Sequence, residues 1–341
     1  MSRRRVEEGS QPKARLDTRL ARRLTAKKAE LDGYRPLPNS TVQRLYGDLR
    51  VLLTYHSNAI EGNTLSLRET QMVIEHGLTV RGHPLREYLE ATNHAEAFDY
   101  LTRLAEGKET LSLDTIVALH RLVMKGIDDE NTGRFPNGPV YIRGARIVPS
   151  PASEVTGLLK EWLKWQQGPG QQYEPVVRAA IAHHDFEVVH PFFDGNGRTG
   201  RLLMNLMLMQ EGYPPALLRQ DWRVSYLQAL DSATTGNYSP LSNLVGRAVE
   251  GGLDLYLEAC RQEQHDLYQP LAKLAEPSGF TTDYLGWLVR QGRLQAIKRN
   301  GRWYSTLAAI NQYKAEVEQQ IARKGPKIQS FSSAGQIEQE D

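Results

Sequence analysis

Apolar side chains in this sequence recur mostly at the spacing of a helix's buried face. Over 41–57 they stand at Val42, Leu45, Leu49, Leu52 and Leu53, with His56 in the same stripe, a period that predicts an amphipathic helix. The same spacing predicts helices over 87–104, 112–124, 153–165, 176–189, 201–210, 222–233 and 240–261. The main body is therefore expected to be nearly all helix.

One stretch breaks the pattern. Val140-Tyr141-Ile142-Arg143-Gly144-Ala145-Arg146-Ile147-Val148 consists of two short β-prone runs around a glycine, bounded by turn formers at 133–138 and by Pro149-Ser150-Pro151, and predicts a hairpin. Composition shifts again near 270–279. Beyond it, 281–291 has helical spacing and 294–306 reads as two strands joined at Asn300-Gly301, a strong hairpin turn. The polar, glycine-containing tail 324–341 is expected to be disordered. At the other end, 1–33 begins Ser2-Arg3-Arg4-Arg5 and continues through Arg19, Arg22, Arg23, Lys27 and Lys28, which reads as a basic, solvated arm or surface helix. The layout is an arm at 1–33, an N-terminal helical region at 34–110, a core at 111–262, a small domain at 263–323 and a tail at 324–341.

Bulk properties narrow the class. With 341 residues, 40% hydrophobic and 24% charged, the chain has the composition of a globular protein, and a net charge of +2 gives it no overall field to attract nucleic acid or membrane. Cys260 is the single cysteine, which excludes an internal disulfide and fits a reducing compartment. No apolar run reaches the ~20 residues that span a bilayer, and 1–28 lacks the apolar stretch of a signal peptide. A cytoplasmic location without a membrane partner is expected.

The chemistry concentrates between two of the predicted helices, in His190-Pro191-Phe192-Phe193-Asp194-Gly195-Asn196-Gly197-Arg198-Thr199-Gly200-Arg201. A loop feeding a helix N-terminus offers unpaired amides and partial positive charge, and glycines let that backbone approach phosphate oxygens. Arg198 and Arg201, one turn apart, are expected on the same side, where both can fork onto phosphate oxygens. Asp194 is the hard oxygen ligand that Mg²⁺ takes when it also binds phosphates. His190 alone here accepts a proton near neutral pH at its ordinary pKa. A general base, a metal carboxylate, a glycine nest and paired arginines together predict a polyphosphate site.

This string matches His-x-Phe-x-Asp/Glu-Gly-Asn-Gly-Arg-x-x-Arg position by position, and the chain resembles the Fic family of AMP transferases from about Tyr34 to Arg261. The resemblance implies a mainly α fold: a Fic-type helical core with a β-hairpin flap, followed by a small C-terminal winged helix. It implies that His190 deprotonates a Ser, Thr or Tyr hydroxyl of a target protein, which attacks the α-phosphorus of ATP and expels pyrophosphate. Asp194 would hold Mg²⁺, Gly195, Asn196, Gly197 and Gly200 would form the anion hole, and Arg198 and Arg201 would hold the outer phosphates. Phe192 would anchor the loop by packing. The 140–148 hairpin would be the flap that holds an extended target segment, and Tyr226 would line the adenine pocket, though a core tyrosine is the competing reading. His183 and His184 read as packing residues.

A second signature, Ser57-Asn58-Ala59-Ile60-Glu61-Gly62, is similar to the inhibitory Ser/Thr-x-x-x-Glu-Gly/Asn motif of Fic proteins. It implies a helix that pairs Glu61 with Arg201 and keeps ATP from its reactive pose. The same carboxylate could position water against an AMP-modified target, so removal of AMP is an alternative. Near the C-terminus, 278–313 resembles a winged helix-turn-helix with Arg293, Lys298, Arg299 and Arg302 on or near its wing, which suits DNA phosphates, a protein partner or a homodimer. Two further functions stay open: a Doc-like phosphotransferase, disfavoured by the intact Gly195-Asn196-Gly197-Arg198, and a DNA-bound regulator with a nucleotide-sensing core.

Overall fold

A computed structural model describes residues 13–79, 81–138 and 149–324. The hairpin expected at 140–148, the first arginines of the arm and the tail beyond 324 lie outside these residues. The chain divides into two compact units, 1–260 and 261–341.

The first unit is helical throughout its described residues: α1 Thr18–Gly33, α2 Asn39–Ile60, α3 Leu67–His76, α4 Leu85–Gly107, α5 Leu113–Met124, α6 Val155–Gln167, α7 Pro175–Val189, α8 Asn196–Gln210, α9 Arg223–Thr234 and α10 Ser239–Leu267, the last running past the division. Local signals explain several starts. Ser66 and Glu69 form a reciprocal capping box at α3, Ser112 caps α5 through the Thr115 amide, and α7 opens on Pro175, whose missing N–H costs nothing there.

Helices α7 and α8 sit between two apolar cores. Val176, Ala179 and Ala180 of α7 and Met204 and Leu208 of α8 join α1, α9 and α10 in one core. Ala182, Phe186 and Val189 of α7 and Leu202, Leu203 and Leu206 of α8 join α2, α4, α5 and α6 in the other. A helix packed on opposite faces buries side chains nearly all round, as α7 does, with Arg178, His183, His184 and Glu187 among them. The connection between these two helices, 190–195, is thereby fixed at both ends.

Residues 18–33 are not a solvated arm. Leu20, Leu24 and Leu31 of α1 are buried, and Gly246 of α10 leaves room for Leu16 and Leu20, whose Cδ2 atoms would lie 3.0 Å from any Cβ there. Two of the basic residues that suggested solvation face acids on α10: Arg23 Nε bonds Glu250 at 2.7 Å, and Lys27 Nζ reaches Glu250 at 2.9 Å and Asp254 at 2.7 Å. Of the two expectations, arm or surface helix, the second describes 18–33, with three leucines packed inward among many cations. Helices α3, Leu271–Ser278 and Leu307–Lys324 were not among those predicted, and α8 starts at Asn196 rather than Arg201, which reshapes the site.

The second unit, taken by itself, runs β1 Gln269–Pro270, α11 Leu271–Ser278, α12 Thr282–Arg290, β2 Ile297–Arg299, β3 Arg302–Ser305 and α13 Leu307–Lys324. Its antiparallel sheet has the order β1-β3-β2, with Lys298 opposite Trp303. Asn300 and Gly301 both have positive φ, 46° and 78°, as a two-residue hairpin turn of this hand requires. Leu274, Leu285, Leu288 and Ile310 form its core.

Leu31→Ala should lower stability by about 2–5 kcal/mol, the range for emptying a fully buried leucine site, when urea unfolding is compared with wild type. An unchanged midpoint would return α1 to the status of a surface arm.

Candidate active site

Helix α7 ends at His190, whose backbone is left-handed (φ 48°) while its N–H still donates to the Phe186 carbonyl at 2.9 Å. A residue with a Cβ pays about 1–3 kcal/mol for such a conformation, so the surroundings must hold it. Phe192 does so from one side: it is fully buried, stacked on the His120 ring at 3.6 Å with 3° between the planes, and flanked by Phe135. Asn196 does so from the other. Its Oδ1 accepts from the Phe192 N–H at 2.9 Å and its Nδ2 donates to the Phe192 carbonyl at 2.7 Å, closing the loop as a backbone pair would.

His120 of α5 has a second task. Its Nδ1 accepts from the Gly133 N–H at 2.9 Å, so the proton sits on Nε2, which donates to the Asp194 carbonyl at 2.9 Å. Burial pushes this imidazole down to about 4, only partly opposed by the Asp194 carbonyl, and keeps it in that neutral tautomer at neutral pH. Gly195 then turns the chain with φ 77°, and a Cβ there would lie 2.8 Å from Met124 Sδ. Glycine is needed for the turn and for the space.

Because Gly195 reverses the chain, α8 begins at once. Asn196, Gly197, Arg198 and Gly200 thus belong to its first turns rather than to a loop, and no side chain caps the start. First-turn amides without a capping oxygen form an anion-seeking end.

The two arginines go to different partners. Arg198 is 2% exposed, with Nη1 3.2 Å from Glu90 of α4 and Nη2 3.7 Å from Asp194, while its Nε and Nη1 lack hydrogen-bond partners among the described residues. Arg201 turns to α2: Nε donates to Ser57 Oγ at 3.0 Å, and Nη2 donates to the Ser57 carbonyl and to Glu61 Oε1, both at 2.8 Å. Three acceptors from the end of α2 thus meet on one guanidinium. Glu61 stands at the C-terminus of α2, with its side chain 39% exposed, and the Cβ position of Gly197 would collide with its carboxylate.

Asp194 is half exposed and paired with Arg86 of α4, which also bonds Glu90 at 3.1 Å. Burial pushes the Asp194 carboxyl up, but Arg198, the Gly195 N–H and Arg86 together hold it below the usual range. His190 is lowered by burial, against the opposing pull of the Glu187 carbonyl, Glu61 and Asp194. These shifts favour the ionised carboxyl and the uncharged imidazole. Tyr226 is buried in the core, its hydroxyl 2.6 Å from His183 Nε2. In the second unit Lys298 and Arg302 are exposed, and Lys298, Arg299 and Arg293 lie over the rings of Trp303, Tyr304 and Tyr313.

Sequence reading missed His120, Glu90, Arg86 and Glu187. A glutamate inside the apolar run of α7 was the one available signal; the others sit on ordinary amphipathic helices and acquire their roles only through packing. No three His, Cys, Asp or Glu side chains gather as a metal cage among the described residues. A single carboxylate beside an uncapped helix start and an under-bonded buried arginine fits a cation shared with phosphate oxygens instead.

Asn196→Ala should raise the hydrogen-exchange rate of the Phe192 amide and cost about 1–3 kcal/mol, since it leaves two buried backbone groups unpaired. Unchanged exchange would remove Asn196 as the strut of the loop.

Residues 110–208 match the Fic/DOC family. Protein adenylyltransferase fic-1 of Caenorhabditis elegans is 34% identical over 240 residues, covering 69% of this chain and 47% of that protein. Protein adenylyltransferase Fic of Aedes aegypti is 34% identical over 244 residues, covering 71% and 48%. The chain spans about half the length of these curated relatives. Among solved structures, Fic-1 of C. elegans (residues 134–508) superposes with a TM-score of 0.64 at 32% identity, covering 72% of this chain and 73% of that one. A Fic family protein from Desulfovibrio desulfuricans G20 gives 0.59 at 25% identity, covering 87% and 98%. Common fold and sequence over more than two thirds of a solved relative, with the 190–201 stretch inside the matched region, mean that the chain belongs to the Fic/DOC family.

Proposed function

We propose that this protein transfers AMP from ATP to a hydroxyl of a Ser, Thr or Tyr in a target protein, and that Ser57 and Glu61 restrain the transfer. The observation that carries this reading is the hold of α2 on Arg201, beside an uncapped helix start and a neutral histidine. The names of the relatives, protein adenylyltransferases, support the reaction class.

His190 takes the proton of the incoming hydroxyl. Its Nδ1 is enclosed beside the Glu187 carbonyl, which leaves Nε2 as the accepting nitrogen. The hydroxyl oxygen forms a bond to the α-phosphorus as the bond to the β-phosphate oxygen breaks, and pyrophosphate departs. The first-turn amides of α8 and Arg198 stabilise the charge on the phosphate oxygens. Asp194 would hold Mg²⁺, which supplies charge neutralisation on the phosphates when bound. Arg201 is the group for the outer phosphate, and Glu61 competes with that phosphate for it. Ser57 fixes the guanidinium in place through both its hydroxyl and its carbonyl, so Arg201 stays positioned when the carboxylate leaves.

Removal of AMP is a second reading, favoured by one observation: the Glu61 carboxylate borders Gly197 and is partly exposed to solvent, where it could orient a water.

Glu61→Gly should raise AMP transfer and tighten ATP binding. A helix-end carboxylate with only a structural role would give a neutral or slightly destabilised protein, glycine costing up to about 1 kcal/mol of helix propensity. Mass spectrometry of the variant with Mg-ATP, looking for AMP on itself and on lysate proteins, reads the difference. Equal, low modification by wild type and variant, with unchanged ATP affinity, would overturn the restraint.

In the Glu61→Gly background, His190→Ala should cut transfer about 10²–10⁴-fold while ATP still binds. A base must be unprotonated, and the folded protein holds the His190 pKa below the ordinary imidazole value, so the acid limb of the rate profile should fall at a lower pH than for a free imidazole. Label from the α-phosphate but not the γ-phosphate of ATP should appear on the acceptor; γ-label there would point to phosphate transfer instead.

A further inference from the structure

Each oxygen of Asp194 already accepts a hydrogen bond. The backbone carbonyl accepts from His120 Nε2 at 2.9 Å. Carboxylate Oδ1 accepts from the Gly195 N–H at 2.6 Å, with Arg198 Nη2 3.7 Å away, and so is tied to the turn that starts α8. Oδ2 is the oxygen left for a cation shared with phosphate, and Arg86 Nη2 is bonded to it.

Arg86 lies in the first turn of α4, and its side chain is 54% exposed. Its Nε donates to Glu90 Oε1 at 3.1 Å, one turn further along the same helix. Glu90 is itself anchored: it is buried, its Oε2 accepts from Asn63 Nδ2 at 3.0 Å, and its Oε1 stands 3.2 Å from Arg198 Nη1. Arg86 therefore spans two carboxylates, one fixed in the interior and one at the site. Turning away from Asp194 would leave it still paired with Glu90, so the contact at Asp194 is the one that can open. Oδ2 cannot serve two cations at full strength. Mg²⁺ takes its oxygens at about 2.0–2.1 Å in a nearly ideal octahedron, and a guanidinium bonded to the same oxygen sets positive charge against positive charge.

We propose that Arg86 is a built-in competitor of the divalent cation for Asp194, a second restraint that acts on the metal position as Glu61 acts on Arg201. This rests on the reading that Asp194 holds the cation. A partly exposed ion pair is weak, so the cation displaces Arg86 but must work against it, and the amount of Mg²⁺ needed for nucleotide binding is set in part by this arginine. The consequence differs from that of an ion pair that only steadies the fold. Neutralising a competitor strengthens the metal-dependent part of nucleotide binding alone, whereas losing a structural contact weakens binding with and without metal alike.

The test is calorimetric titration of ADP into full-length wild type, Arg86→Gln, Arg86→Lys and Asp194→Asn, each with Mg²⁺ and with EDTA. ADP lacks the outer phosphate that Glu61 contests, so the two restraints are read apart. The ratio of the two affinities measures what the cation adds. Arg86→Gln should raise that ratio about 2–10-fold above wild type, the scale of one exposed charge pair together with the relieved repulsion, and Arg86→Lys, which keeps the charge, should raise it less. A ratio unchanged or lowered in Arg86→Gln, or raised equally by Arg86→Lys, would overturn the competition; if Asp194→Asn then still abolishes the Mg²⁺ effect, Asp194 stands as the ligand without it. A Mg²⁺ effect that survives intact in Asp194→Asn would remove the ligand and the proposal together. Mn²⁺ titrated by electron paramagnetic resonance in the presence of ADP gives an independent reading: Arg86→Gln should hold it more tightly than wild type, and equal affinity would also overturn the proposal.

Discussion

A full positive charge buried at Arg201 constrains its surroundings more than any other single group. Left unpaired in the interior, a guanidinium would cost several kcal/mol, and the helix end facing it answers that cost. The end of α2 supplies a hydroxyl, a carbonyl and a carboxylate. All three come from one helix end, so the charge ties the end of α2 to the start of α8. The apolar cores on either side of α7 and α8 give these helices their places, and the arginine links α8 to α2 through polar contacts.

The 190–201 stretch shows how geometry differs from composition. Its candidate chemistry was proposed from residue types alone: a histidine, an aspartate, glycines and arginines close together. Its shape was not, because glycines and an asparagine read as loop formers, whereas a left-handed Gly195 starts a helix and the Asn196 side chain replaces a backbone pair. Arg198 and Arg201 were expected side by side on phosphate; instead each is bound to a carboxylate from a different helix. Those carboxylates lie about a hundred residues or more away in sequence, and spacing rules that work within one helix cannot reach them.

Most helices were legible from periodicity because they are amphipathic and border a core on one face. Helix α1 was legible only as an arm or surface helix, since its surface is dominated by cations, two of which find Glu250 and Asp254 only after folding. In the second unit the Asn300-Gly301 turn gave the ribbon directly, yet its cations rest over aromatic rings rather than standing apart. Clustering of charge in sequence says little about how the charge is used when aromatic residues alternate with it along two paired strands.

Glu61 is placed where α2 ends, not in its interior. Of the two Ser57 contacts to Arg201, the carbonyl is held in place by the helix backbone, whose rearrangement takes microseconds or longer. The Glu61 contact comes from a partly exposed side chain on the last residue, and rotation about its own bonds is enough to open it, on the picosecond to nanosecond scale. The two halves of the same grip therefore run on separate clocks: the guanidinium keeps its position while the carboxylate comes and goes many times within one molecular encounter. A contact that reopens so fast sets an occupancy rather than a delay.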